Sequence, residues 1–289
     1  MKDERDLRSS PIGGDWYAGD ARNLAATVDG YLAAAGTPAV DGALVALVAP
    51  HAGHRYSGAV AGYAFAAARG LVPDVVAVVG PMHSPSSGTV LTSGHRAYAT
   101  PLGVVPIDAD ARHTLEDHVG REAGVRLVPV RNDDEHSVEI ELPFLQRALA
   151  REFRLLPVMV RDERPAVIRG LGQALAKALE GRTALLVAST DLSHYYPQAR
   201  AEAFDAEMLR RVEALDPGGV LSAEDERAGF ACGSAALAAV LWAARALGAD
   251  RARVLRHATS GDVTGDYDRV VGYGAAVVTR RGAAGTMSR

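Results

Sequence analysis

The sequence predicts a single α/β domain, with a mostly parallel central sheet and helices on both faces. Three observations predict it. Short apolar runs of strand length alternate with helix-length segments nearly throughout, the pattern of a parallel sheet covered on both sides. The runs are rich in Val, Leu and Ala and lack polar alternation, as strands buried on both faces do. Three of them stop abruptly at polar loops that contain histidine, and ligands of open α/β sheets bind beyond the carboxyl ends of strands.

In chain order, 1–10 reads as a charged, flexible tail and 280–289 as a second one; the domain spans 11–279. Pro11 to Asp20 is turn-rich. Arg22 to Ala35 is a helix with Leu24, Val28 and Leu32 on one face. A strand over Ala43–Ala49 leads to the loop Pro50-His51-Ala52-Gly53-His54-Arg55, then a small-residue helix, Ser57–Arg69. The strand Asp74–Val79 leads to Pro81-Met82-His83-Ser84-Pro85. Ser84 to Gly103 reads as an excursion of hairpin or loop over the site. Strands at Val104–Ile107 and Val125–Val130 flank a helix, Ala109–Val119. Ser137–Ala150 reads as a helix kinked or broken at Pro143. Then follow the strand Phe153–Val160, the helix Arg164–Leu179 and the strand Ala184–Ala188. The third polar loop is Ser189-Thr190-Asp191-Leu192-Ser193-His194. Helices at Gln198–Ala214 and Ser234–Leu247 precede closing strands at Val254–Ala258 and Arg269–Thr279.

Composition excludes several classes. The net charge of −4 gives no basic field for nucleic acid or an anionic membrane. No apolar run reaches the roughly 18–20 residues of a membrane span. Met1 to Ser10 lacks the apolar stretch of a signal peptide. The single cysteine forms no intrachain disulfide, and a reducing cytoplasm is the expected compartment. There is no Walker loop, G-x-G-x-x-G, G-x-S-x-G or H-E-x-x-H, so nucleotide binding and serine hydrolysis lose their usual support.

The chemistry is expected at the strand ends. His51 and His83 occupy matching positions after two consecutive strands, and neutral imidazole is the commonest side-chain metal ligand. Asp191 and His194 follow a third strand. Asp191 orients a histidine, or caps a following helix; His194 titrates near neutrality and suits acid–base work. His136 opens a helix with no evident structural task. Cys232 precedes the helix Ser234–Leu247, where a helix N-terminus favours thiolate; the alternative is a small buried apolar residue. The segment Ser260–Tyr267 is a lid or an ordinary polar turn. His54 and Arg55 are anion binders or solvated loop residues.

Six ordered motifs resemble one family: A-P-H-A-G-H-R-Y-S-G, G-P-M-H-S-P, E-H-S-V-E-I-E-L-P-F-L, S-T-D-L-S-H-Y-Y, G-F-A-C-G and T-S-G-D-V-T-G-D-Y. Together they are similar to the Memo family, whose prokaryotic members are called AmmeMemoRadiSam system protein B. The resemblance implies a fold similar to the class III extradiol dioxygenases, which hold non-haem Fe(II) with two histidines and a glutamate. By motif it implies His51, His83 and Cys232 as metal ligands, with Asp191, His194 and His136 around them. A cysteine stands in place of the carboxylate, which changes the metal's charge and redox behaviour. Two imidazoles and a thiolate suit Fe(II), copper or zinc. The implied activity is that of an iron- or copper-dependent, dioxygenase-like oxidoreductase acting on a small, phenolic substrate with O2. A non-catalytic metal- or peptide-binding regulator and a zinc hydrolase are the alternatives. The expected partners are a small molecule and, as an option, a second copy of the chain.

Overall fold

The computed structural model describes residues 6–281. The chain opens with β1 (Leu7–Arg8), α1 (Ala21–Ala34), β2 (Ala43–Ala49), α2 (His54–Ala66) and β3 (Val75–Pro81). Four short strands and a helix follow: β4 (Val90–Ser93), β5 (Ala97–Thr100), β6 (Gly103–Pro106), α3 (Ala109–Glu122) and β7 (Leu127–Val130). A 3-10 turn (Glu139–Glu141) leads into α4 (Leu142–Ala148), β8 (Arg154–Val160), α5 (Pro165–Leu179), β9 (Ala184–Ser189) and β10 (His194–Tyr196). The chain closes with α6 (Gln198–Glu213), α7 (Pro217–Ser222), α8 (Ser234–Ala246), β11 (Arg251–Thr259), α9 (Gly261–Thr264) and β12 (Val270–Arg280).

The main sheet runs β10-β12-β2-β9-β3-β8-β4-β7, with β11 also paired to β12. Its centre, β2, β9, β3 and β8, is parallel. Antiparallel pairs flank that centre, β4 on β8 at one side and β12 on β2 at the other. Every residue of β3 is buried. Val75, Ala77 and Val79 join the core beneath α3, α5, α6, α7 and α8; Val76 and Val78 join the core beneath α1, α2 and α4. Alternate side chains thus enter opposite apolar layers, which is why the strand reads as one apolar run. The small residues of α2 serve helix contact as well as sheet contact. A Cβ on Gly62 would stand 2.7 Å from the carbonyl oxygen of Tyr31, so α1 crosses α2 at backbone range.

The structure departs from the sequence reading at four places. Ser84–Gly103 is not an excursion over the site. Val90–Ser93 joins the main sheet as β4, and Ala97–Thr100 pairs with β1 and β6 in a separate three-stranded sheet. The segment 137–150 has the break expected at Pro143 but not the helix expected from Ser137: a 3-10 turn precedes an α-helix that starts at Leu142 with Pro143 in the first turn, where proline's missing N–H costs nothing. No helix follows Asp191 directly; His194–Tyr196 pairs with β12 instead. Residues 6–10, placed in the tail, are folded in, and Arg8 is buried. Residues 1–5 and 282–289 of the two tails lie outside the described residues.

Candidate metal centre

The strand order 2-9-3 puts the third polar loop between the first two. His51, His83, Asp191 and His194 therefore converge beyond the carboxyl ends of neighbouring parallel strands. With His136 they line one cavity of about 640 Å³. The wall is completed by Trp16, Tyr56, Tyr195 and Tyr273, with Asp15, Asp266 and Arg269 also lining it.

Three imidazoles form the floor. The rings of His83 and His136 stack, with centroids 4.6 Å apart and planes 11° apart. His51 stands edge-on to both, at 5.3 Å and 5.2 Å. One ring nitrogen from each lies within 4.8 Å of the others, a spacing that suits a shared metal ion.

Hydrogen bonds settle the tautomers. Ser189 Oγ donates to the Ser137 carbonyl at 2.6 Å, so its one proton is committed. It must then accept from His51 Nδ1, 3.0 Å away. That leaves the His51 Nε2 lone pair to accept from the Cys232 thiol, whose Sγ lies 3.1 Å away. His83 donates Nδ1–H to Glu135 at 3.0 Å, which points its Nε2 elsewhere. His194 donates Nδ1–H to the Leu192 carbonyl at 2.8 Å, freeing Nε2.

Glu135 organises this floor and was not singled out from sequence. Its carboxylate is buried. It accepts from the His83 amide at 2.5 Å, and from the His136 and Ser137 amides, each at 2.9 Å. His136 Nδ1 stands 3.5 Å from the same carboxylate. The only sequence signal was an acid beside a histidine in Asp134-Glu135-His136. Burial by itself would raise the Glu135 pKa, but His83 and His136 outweigh it and hold it at about 2. The same pairing overcomes burial at His83, which is raised above the ordinary histidine value. His136 goes the other way, lowered to about 4 by burial. His51 is pushed well below its ordinary value by burial and by the neighbouring rings of His136 and His83.

Asp191 does not cap a helix. Its Oδ1 accepts from the amides of His51 and Ala52, at 2.8 Å and 3.2 Å, so it fixes the first histidine loop. Burial raises it to about 7. Cys232 sits beneath His51 rather than on the cavity wall. Its position before α8 argued for thiolate; burial and the charge of Asp191 push the thiol the other way. His54 is no anion binder. It is buried between Tyr17 and Phe144 and donates Nε2–H to the Ile140 carbonyl at 3.0 Å. Trp16 and Tyr195 were also missed. Trp16 packs on the His136 ring at 4.2 Å. Tyr195 is held at φ 63°, in the left-handed region that disfavours aromatic residues, and projects at the cavity rim with Arg269 over its ring.

The family model described as Memo-like protein matches residues 8–277. The chain belongs to the Memo family. A MEMO1 family protein of Methanopyrus kandleri is 38% identical over 248 residues, 83% of this chain and 84% of that relative. One of Methanothermobacter thermautotrophicus is 38% identical over 231 residues, 78% and 82% of the two chains. The crystal structure of an uncharacterized protein of Escherichia coli K12 shares the fold, with a TM-score of 0.50 at 16% identity. It is matched over 81% of this chain and 99% of that one. In this Memo protein, no helix among the described residues is long and apolar enough to cross a membrane.

Proposed function

We propose that this Memo protein is a metal-dependent oxidoreductase of the dioxygenase-like type. It would use Fe(II) first, with copper or zinc as the other candidates, and act on a small phenolic substrate. The observation that carries the reading is the floor of three imidazoles, each offering a ring nitrogen within 4.8 Å of the others. The donor chemistry fits. Neutral imidazole suits Fe, Cu and Zn and disfavours Mg and Ca. His51, His83 and His136 would hold the ion, with Cys232 beside His51 as a further donor. Bound there, a redox-active ion supplies electron transfer to O2.

The chain's own residues do the rest. Glu135 orients His83 and His136, as outer-shell carboxylates do for metal-bound imidazoles. Asp191 holds the loop of His51 by two backbone bonds. His194 presents an unprotonated Nε2 to the cavity and takes the proton of a phenolic hydroxyl. Trp16, Tyr56 and Tyr273 give a flat ring an apolar wall.

Metal content after anaerobic purification tests the reading, for wild type and for His51→Ala, His83→Ala, His136→Ala and Cys232→Ala. The expected result is near-stoichiometric iron or copper in wild type, lost in each histidine variant. Oxygen uptake that depends on Fe(II) and a phenol would then establish turnover. A wild type that takes up no metal after reconstitution sinks the proposal, and stoichiometric metal without oxygen uptake sinks its catalytic half.

A further inference from the structure

Among the described residues, the bulkiest fully buried side chain is that of Arg8, in the segment that reads as a tail. Its guanidinium donates to the Asp133 carboxylate at 2.8–3.2 Å, to Glu139 Oε2 at 2.5 Å and to the Glu135 carbonyl at 2.5 Å. It lies 4.8 Å over the Tyr98 ring. The other oxygen of Glu139 accepts from Ser10 Oγ at 2.5 Å and Tyr17 OH at 2.6 Å. Three side chains of the N-terminal segment thus grip 133–139 at both ends, and Glu135 and His136 lie between the grips. The same segment places Trp16 against the His136 ring at 4.2 Å, and the Trp16 carbonyl accepts from the His54 amide at 2.8 Å. The segment therefore ties together two of the loops that build the floor.

We infer that residues 6–17 form a strap that is part of the metal centre. In it Arg8 is the positioning residue for Glu135 and His136, and Trp16 is the wall that fixes the His136 ring. The inference rests on the metal-binding reading above. A planar fork of donors is needed, because one group must satisfy two carboxylates and a carbonyl at once. Lysine keeps the charge and loses the fork. Fastening the segment at its ends also spares the floor a loop it would otherwise have to order when an ion arrives.

Two readouts on the full chain test it. In metal-free protein, the Cε1–Hε1 NMR resonances of His136 and His83 should move in Arg8→Lys, while that of the remote His257 stays in place. In a Co(II) titration followed by its visible spectrum, Arg8→Lys should bind about tenfold more weakly and show an altered ligand-field band. Trp16→Ala should also weaken binding, and Trp16→Phe should restore it. Unmoved His136 resonances with unchanged Co(II) affinity in folded Arg8→Lys overturn the inference. If that variant does not fold, Tyr17→Phe and Trp16→Ala keep the Arg8 ion pairs and decide by the same readouts. A wild type that binds no Co(II) defeats the metal reading, while the resonances of the metal-free protein still report on the strap.

Discussion

Replacing Glu135 by glutamine isolates the part of the site that orients it. In the native protein Oε1 serves the amides of His136 and Ser137 and the His83 Nδ1–H, and Oε2 serves the His83 amide. Glutamine has one acceptor oxygen. With it in the place of Oε1, the NH2 group faces the His83 amide, donor against donor. A buried, unsatisfied amide costs about 1–3 kcal/mol of stability. Relieving that clash shifts the glutamine and draws its oxygen off the His83 Nδ1–H, so His83 also loses its fixed orientation, and loss of such a partner lowers metal affinity by roughly 10–100-fold, about 1.4–2.7 kcal/mol. Proton competition works in the opposite direction. Glu135 raises the His83 pKa, so in wild type a proton competes with the metal on its Nε2, costing about tenfold in affinity per pH unit below that pKa. In the variant this competition begins at lower pH. The two effects separate above the raised His83 pKa, where affinity no longer changes with pH and orientation alone differs. The assay is competition against a chromophoric chelator for Co(II) or Zn(II), from that alkaline plateau downward. We expect the variant to be weaker on the plateau and the gap to narrow as pH falls. Affinity within about twofold of wild type on the plateau, in a variant with native circular dichroism, refutes the orientation argument.

Three further outcomes follow from particular contacts. His194→Gln should abolish substrate-dependent oxygen uptake while metal content stays at the wild-type level; loss of the metal as well would put His194 among its ligands. His54 is buried and lowered to about 4, burial outweighing its bond to Ile140, so the unfolded chain takes up a proton below 6.5 that the folded chain refuses until about 4. This part of the stability is therefore complete above pH 6.5 and falls by about 3 kcal/mol as pH drops to 4. In His54→Phe, urea midpoints across that window should show a shallower loss than in wild type, and an unchanged slope would mean that His54 does not set it. Gly272→Ala would place a Cβ 1.8 Å from Asp205 Oδ2. That carboxylate is buried and bound to the Ser193 amide and His257. It has no room to yield, so the variant should lose stability toward the upper end of about 1–3 kcal/mol, and a thermal melt within a degree or two of wild type contradicts the packing.

The parallel centre was legible because strands buried on both faces leave continuous apolar runs, as Val75 to Val79 does. The pieces that were not legible share a cause. Val90–Ser93 has four residues, two of them hydroxylated, and becomes a strand because β7 and β8 are there to pair with it on either side. Arg8 stands among charges at the chain start and reads as solvated. It is buried because Asp133 and Glu139, more than a hundred residues away, supply counter-charges on a loop that sequence does not bring near. Propensity and periodicity describe a residue's neighbours in the chain; these residues are decided by neighbours in space.

The same division runs through the site. His51, His83, Asp191 and His194 were legible because each leaves the end of a buried strand, and a parallel sheet delivers such ends to one edge. Glu135 was not, since its role lies in which amides and which ring its oxygens accept from. Cys232 lies at a helix start and 3.1 Å from His51 Nε2. A helix start favours thiolate, but that effect is worth at most about 2 kcal/mol. Burial of an unpaired thiolate beside Asp191 opposes it and is the larger effect. The argument extends to the whole floor. Burial and mutual repulsion lower His51 and His136, and only His83, beside Glu135, favours a proton. Three imidazoles at this range cannot all be charged, because each added proton raises the cost of the next. The pocket therefore holds several lone pairs that protons fill poorly. A single ion accepting several of them at once meets no such repulsion, and the buried Glu135 carboxylate behind two of the rings offsets its charge.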